Sequence, residues 1–310
     1  MLIRNAAVYI GNEFVRDIDV RVRDGRIAET GRGLNPEPGE KVTDLAGDYL
    51  LPGFVDVHIH AFGGRDTMQG EEAVRAMSRE LLRLGVAAFC PTTMSANPEE
   101  TRKAVAGIRA VMERPEAAGA LVLGAHMEAP FLQESKAGAQ RKEFFTDPSM
   151  ETLEKLTDGD PGVVRLITMA PEKKGSEAFI RQASAAGIHV SVGHTSATAE
   201  QTHQAADWGA DHVTHTFNAQ TPLHHRNPGV PGAALTDGRL YCEMICAGVH
   251  LHRDVVRLLA LFKGPERVVA ITDAMEAAGL RTANMRWAGR RFSCGTGKHG
   301  LRTERWQAPC

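Results

Sequence analysis

Two histidines one residue apart, His58 and His60, close the apolar run "FVDVHIH". Alternate residues of a β-strand face the same side, so His-x-His at a strand end sends both imidazoles one way. Other residues able to bind a metal or move a proton close other apolar runs: Glu128 in "HMEAPF", His194 in "VGHTS", His215 in "VTHTF", His250 just past "CEMICAG" and Asp273 in "ITDAM". Imidazole and carboxylate without thiolate suit zinc, iron or a similar divalent ion. Glu128, His194 and His215 supply three protein ligands and leave a position for water, the pattern of a catalytic rather than a structural site. Such an ion brings the pKa of its water from about 15.7 to near 7. Asp273 could then take a proton from that water and hand it to a leaving nitrogen, and His250 could hydrogen-bond a carbonyl oxygen as charge develops. The reaction class that follows is metal-assisted hydrolysis of an amide.

Taken singly, each residue has a plainer reading. His194 and His215 could be buried, hydrogen-bonded histidines, and Asp273 a helix cap. Glu128 would be expensive at a strand end without a partner. His126, His224 and His225 carry weaker signals, and Cys242 and Cys246 read as core residues of a strand and its end. The coincidence of six strand ends favours the joint reading.

The elements that must position these residues can be read from periodicity. The first fifty residues alternate as short strands, with "RDGR" as a hairpin turn, and predict a small β domain. Strand-like runs then alternate with amphipathic stretches such as "EEAVRAMSRELLRLG". Eight buried strands separated by helices is the count of a (β/α)8 barrel. An open doubly wound sheet is the competitor, but there the first and eighth strand ends would lie far apart. A barrel brings all these ends to one face.

Composition narrows the class. At 310 residues the chain can bury a full core. There is no run of about 18 apolar residues and no secretory h-region at the start. Five scattered cysteines form no disulfide framework or CxxC pair, which fits a reduced cytoplasm. A net charge of −2 without a basic stripe argues against nucleic acid as the main partner.

On these residues the chain resembles the N-acetylglucosamine-6-phosphate deacetylases of the amidohydrolase superfamily. The segments "LPGFVDVHIHAFGG", "GAHMEAPFLQESKAGAQ", "VSVGHTSAT", "THTFNAQTPLHHRNPGVPGAAL" and "ITDAMEAAGL" carry the resemblance, in family order over residues 1–280. It implies an α/β fold, a TIM-like (β/α)8 metal-dependent hydrolase barrel over 51–280 with a small β domain that includes 1–50. It implies Glu128, His194 and His215 as primary metal ligands and Asp273 as catalytic acid/base. Ala139 and Gln140 would lie against the sugar, Asn218 and Ala219 would offer donors to the phosphate, and Arg226 and His250 would contact substrate. A guanidinium suits phosphate through its bidentate fork. Members that keep His-x-His can bind two metals, so His58 and His60 imply a second ion. The implied reaction is deacetylation of N-acetylglucosamine 6-phosphate in amino-sugar catabolism, by a cytoplasmic homodimer. The galacto epimer, another amidohydrolase activity and a non-catalytic metal-binding remnant are the alternatives.

Three departures stand out. Ala247 replaces a usual Asp, removing a partner that could orient His250. Ala129 replaces a usual Gly and would crowd the site if the backbone there needs positive φ. The third is the tail: Arg281–Cys310 holds six Arg and one Lys against one Glu, leaving 29 basic and 37 acidic residues in the first 280. Read one base earlier, "RTANMRWAG" permits Pro-Asp-Gly-Glu-Tyr-Ala-Leu-Gly-Gly, a family-like turn and strand. The expectation is that one lost nucleotide after the Leu280 codon puts 281–310 out of frame, with a divergent C-terminus as the alternative. The small β domain and the last barrel helix would then be incomplete, exposing apolar surface on the first and eighth strands.

Overall fold

The computed structural model describes residues 1–280 with their side chains and, beyond them, only the backbone of three strands, Thr282–Trp287, Arg290–Gly297 and Gly300–Leu301. The out-of-frame reading of 281–310 therefore falls on side chains outside the described residues. Two units divide the chain, Met1–Gly53 and Phe54–Cys310.

The first unit is a mixed sheet of β1 (Leu2–Ile10), β2 (Glu13–Arg23), β3 (Arg26–Gly31), β4 (Val42–Asp44) and β5 (Tyr49–Leu50). β1, β2 and β3 run antiparallel, and β4 and β5 join β1 in parallel. Asp24 and Gly25 turn β2 into β3 with φ of +50° and +71°, which is the turn read from "RDGR". Asp19, 1% exposed, ties the sheet by accepting from the backbone N–H groups of Asn5 at 2.9 Å and Leu34 at 2.8 Å.

The second unit carries the barrel strands β6 (Phe54–Ile59), β9 (Val86–Thr93), β11 (Ala125–Met127), β12 (Val164–Met169), β13 (His189–Val192), β14 (His212–Val213), β15 (Tyr241–Ile245) and β16 (Val268–Ile271). Between β6 and β9 lie the short hairpin strands β7 (Ala61–Phe62) and β8 (Arg65–Asp66), and β10 (Leu121–Val122) pairs with β9. Each barrel strand from β6 to β16 pairs in parallel with the next. The seam between last and first is closed by other bonds. Asp273 N–H donates to His58 O at 2.9 Å, His60 N–H to Ala274 O at 3.0 Å, and Thr272 Oγ1 to Asp56 Oδ2 at 2.6 Å. An eight-strand, nearly closed parallel barrel results, and the open sheet is excluded because its two ends meet.

Helices cover the strands: α1 (Glu71–Arg83), α2 (Pro98–Glu113), α3 (Met150–Leu156), α4 (Ser176–Ala185), α5 (Ala199–Trp208), α6 (Gly229–Thr236) and α7 (Arg253–Lys263). α1 buries Ala73, Val74, Met77 and Leu81, the three-and-four spacing of a helix with one apolar face. α2 starts where Asn97 accepts from Glu100 N–H and Pro98 fills the first turn. α5 starts on a capping box of Thr198 and Gln201. Phe131 and Phe179, both fully buried, meet edge to face at 4.8 Å in the core. Among the described residues no α-helix follows β16, and Phe54 and Val55 of β6 are exposed. No helix among them is long and apolar enough to cross a membrane.

Candidate active site

The strands deliver the predicted residues to one end of the barrel. His58 lies in β6 and His60 just beyond it; Glu128 follows β11, and His194, His215 and Asp273 each stand two residues past β13, β14 and β16. His194, His215 and Asp273 take φ of +45°, +27° and +48°, a left-handed backbone that non-glycine residues adopt at a cost and that clusters at functional sites. Gly193 lets β13 approach its neighbours. A Cβ there would sit 2.6 Å from Thr214 Cβ and 2.8 Å from Thr168 Cγ2.

Glu128, 2% exposed, is the centre. Its Oε1 lies 3.2 Å from His194 Nε2, 3.1 Å from His215 Nε2 and 3.3 Å from His58 Nε2. Its Oε2 lies 3.1 Å from His60 Nε2 and accepts from Gln140 Nε2 at 2.5 Å. Asp273 Oδ1 is 3.5 Å from His58 Nε2 and 3.4 Å from His60 Nε2. Two donor groups result, Glu128–His194–His215 and His58–His60–Asp273.

The rear nitrogens fix the tautomers. His194 Nδ1 faces the carbonyl of Lys136 at 2.8 Å, His60 Nδ1 that of Thr92 at 3.3 Å, and His58 Nδ1 a Glu243 carboxylate oxygen at 2.9 Å. Carbonyl and carboxylate oxygens only accept, so each Nδ1 carries a hydrogen and each Nε2 is the nitrogen left to face the centre, where its lone pair would meet a cation. The Nε2 atoms of His194 and His215 are 3.1 Å apart, and those of His58 and His60 3.4 Å. Converging lone pairs and carboxylates call for positive charge between them. The donors, nitrogen and oxygen without sulfur, fit zinc, iron or a similar divalent cation.

The carboxylates draw positive charge toward the rings as well. Burial opposes protonation of His58, but Asp273, Glu128 and Glu243 outweigh it and hold the ring well above the usual imidazole range. His60 is likewise pushed up to about 9, against burial, by Asp273 and Glu128. Burial works against a charged Asp273, yet His58 and His60 bring it down to about 2. Glu128 stays well below the usual carboxylate range, as His58 and His194 outweigh its burial.

Beneath the donors runs a buried polar chain. His126 Nδ1 donates to Val57 O at 3.0 Å, and its Nε2 accepts from Thr168 Oγ1 at 2.8 Å. Thr168 meets Thr214 at 2.8 Å, and Thr214 meets Ser191 at 2.6 Å. Burial, aided by His58, drives His126 down to about 3, so it remains neutral. With both ring nitrogens engaged it is part of the floor and no ligand.

The remaining predicted residues divide. Gln140, buried, bridges Glu128 and Ser95, accepting from Ser95 N–H at 2.7 Å; Ala139 beside it is partly buried. Asn218 N–H donates to His215 O at 2.9 Å, and Ala219 O accepts from Thr195 N–H at 3.2 Å, so both brace the loops that carry His215 and His194. Arg226 and His250 are exposed on the loops after β14 and β15. No hydrogen bond or ion pair joins either to the Glu128 cluster among the described residues. Ala129 is buried and is not among the positive-φ residues, so the strain anticipated for it is absent. Sequence reasoning missed Glu243 and Asp56, both buried. A lone acid inside "YCEMI" or "FVDVHI" was the available signal, because a buried carboxylate needs partners.

Comparison with known proteins follows the same lines. The amidohydrolase family model matches residues 49–298. The N-acetylglucosamine-6-phosphate deacetylase of Bacillus subtilis is 35% identical over 285 residues, 91% of this chain and 72% of that protein. The N-acetylgalactosamine-6-phosphate deacetylase of Escherichia coli O157:H7 is 35% identical over 265 residues, 85% of this chain and 68% of that one. Among solved structures, an aspartate-to-alanine variant of the Mycobacterium smegmatis N-acetyl-D-glucosamine-6-phosphate deacetylase, in complex with N-acetyl-D-glucosamine-6-phosphate, superposes with a TM-score of 0.83. It is 31% identical, over 98% of this chain and 78% of that one. By this likeness in sequence and fold, the chain belongs to the amidohydrolase family and, within it, to the N-acetylglucosamine-6-phosphate deacetylases.

Proposed function

We propose that this chain hydrolyses the acetamide of N-acetylglucosamine 6-phosphate, giving glucosamine 6-phosphate and acetate. The observation that carries this reading is the convergence of Glu128, His194 and His215 beside an ionised Asp273 on the same barrel face. Glu128, His194 and His215 would hold one divalent ion, and His58, His60 and Asp273 a second. Such an ion supplies Lewis-acid polarisation of the amide carbonyl and acidifies water.

The chain's own residues do the rest. Asp273, at the mouth of the cluster and 19% exposed at its side chain, accepts a proton from water and returns it to the departing amine nitrogen. Burial keeps bulk water from the buried histidines and strengthens every charge interaction around them. Gln140 holds Glu128 in place while its own carbonyl is fixed by Ser95. Arg226, an exposed guanidinium, and His250 would contact the substrate, with Asn218 and Ala219 offering donors to the phosphate and Ala139 and Gln140 lying against the sugar.

The 35% identity to an N-acetylgalactosamine-6-phosphate deacetylase supports a second reading, the galacto epimer. The test is acetate release from both 6-phosphates by the purified chain with added zinc or iron. Release from the gluco sugar at higher kcat/KM supports the first reading, and preference for the galacto sugar the second. Metal uptake with no release from either would overturn both and leave a metal-binding remnant.

A further inference from the structure

Glu243 lies in the middle of β15 and is completely buried. One of its oxygens, Oε2, accepts from His58 Nδ1 at 2.9 Å and from the backbone N–H of His215 at 3.0 Å. The other, Oε1, has no hydrogen-bond partner among the described residues. A buried carboxylate with half its acceptor capacity idle is expensive, so its position has to be explained by what Oε2 does. His58, His126 and Glu243 together look like a third donor group. It cannot hold an ion as the chain stands, because Nδ1 of His58 and both nitrogens of His126 are already engaged. The group instead braces His58. Glu243 holds the ring from behind, and His126 packs against it edge to face at 4.5 Å. Both fix which way Nε2 points.

The two donor groups of the site meet this brace differently. In the His58–His60–Asp273 group, Glu243 bonds the side chain of a ligand. Among the described residues, in the Glu128–His194–His215 group it bonds only the His215 backbone, His215 Nδ1 has no hydrogen-bond partner, and His194 is oriented by Lys136 O. We propose that Glu243 is a positioning residue that decides whether the His58–His60–Asp273 group holds an ion, and that it leaves the other group nearly untouched. A carboxylate behind a ligating imidazole fixes its tautomer and raises its basicity. Removing that charge weakens one ion and spares its neighbour. This inference rests on the two-ion reading of the site given above.

The experiment counts zinc per chain by atomic emission and measures each affinity by chelator competition, on the wild-type chain, Glu243→Gln, His58→Asn and the double variant. The wild type is expected to bind two ions. Glu243→Gln should keep one at unchanged affinity and hold the second about 10–100-fold more weakly, the usual effect of losing an outer partner. Adding Glu243→Gln to His58→Asn should cause no further loss, because the two act through one ring. Two ions at wild-type affinity in Glu243→Gln would overturn the proposal, as would equal weakening of both or additive losses in the double variant. A wild type that binds one ion would also overturn it while leaving the three-ligand site standing; a wild type that binds none would overturn the metal reading itself. Should Glu243→Gln fail to fold, Glu243→Asp keeps the charge, withdraws it by one methylene and should show the same selective weakening.

Discussion

The barrel carries a histidine–carboxylate group at each end, and the two are built in opposite ways. At the start of β13 and β14, His189 and His212 both turn Nδ1 toward Asp211, at 2.6 and 2.7 Å. His189 is half exposed there, and each nitrogen that meets the carboxylate is a hydrogen-bond donor. At the other end the Nδ1 donors point away, into Lys136 O, Thr92 O and Glu243, and the Nε2 atoms converge in the buried centre. The same residue types thus make a satisfied surface ion pair in one place and a cation-seeking cluster in the other. What separates them is the acceptor behind each ring.

Four substitutions sharpen or break this contrast. Asp273→Asn should lower kcat by about 100- to 10,000-fold, the range for losing a general acid or base, in acetate-release assays; near-wild-type turnover would remove Asp273 from the chemistry. His194→Asn should weaken one ion by more than the roughly 100-fold upper value for an outer partner, read by metal titration. His189→Asn in the same titration should leave the ion count unchanged, and a lost ion would dissolve the distinction between the two ends. Gly193→Ala forces a methyl against Thr214 and Thr168, and overpacking of this kind costs about 1–3 kcal/mol. Chemical denaturation should show that loss.

The smallest effect belongs to the exposed pair. Asp211 raises the pKa of His189 through their hydrogen bond, with burial opposing. Burial also opposes a charged Asp211, but His189 and His212 bring its pKa down. The His189 contribution is therefore fully present below the unfolded imidazole value near 6.5 and fades as pH rises through the raised folded value. The Asp211 contribution is present above about 3.9 and fades as pH falls through its lowered one. Asp211→Asn should then cost at most about 1 kcal/mol, visible between roughly pH 4 and 6.5 and shrinking above. A loss that grows steadily to pH 9 would contradict the assignment.

The strand ends were legible because each chemical residue closes an apolar run, and a barrel gathers such ends without any knowledge of register. Asp273 and His58 could be paired on that ground alone. Glu243 could not. Its partners, His58 and the His215 backbone, lie 185 and 28 residues away, and only strand register brings them together. The neighbouring Cys242 and Cys246 drew the eye as core, although Cys246 is exposed. The condition for crowding at Ala129, a positive φ, is not met, because residue type does not report φ; His194, His215, Ala219 and Asp273, with ordinary side chains, are site residues that carry one.

The seam between β16 and β6 has a consequence for time as well as for shape. Thr272 and Asp56, whose side chains close it, are separated by 216 residues. The entropy of closing a loop that long must be met before the bonds of the joint repay it, which slows folding. His58 and Asp273 flank this joint, so no partly assembled chain can present both. An ion held by that pair would thus report on ring closure, since it can be gripped only when the first and last strands have met.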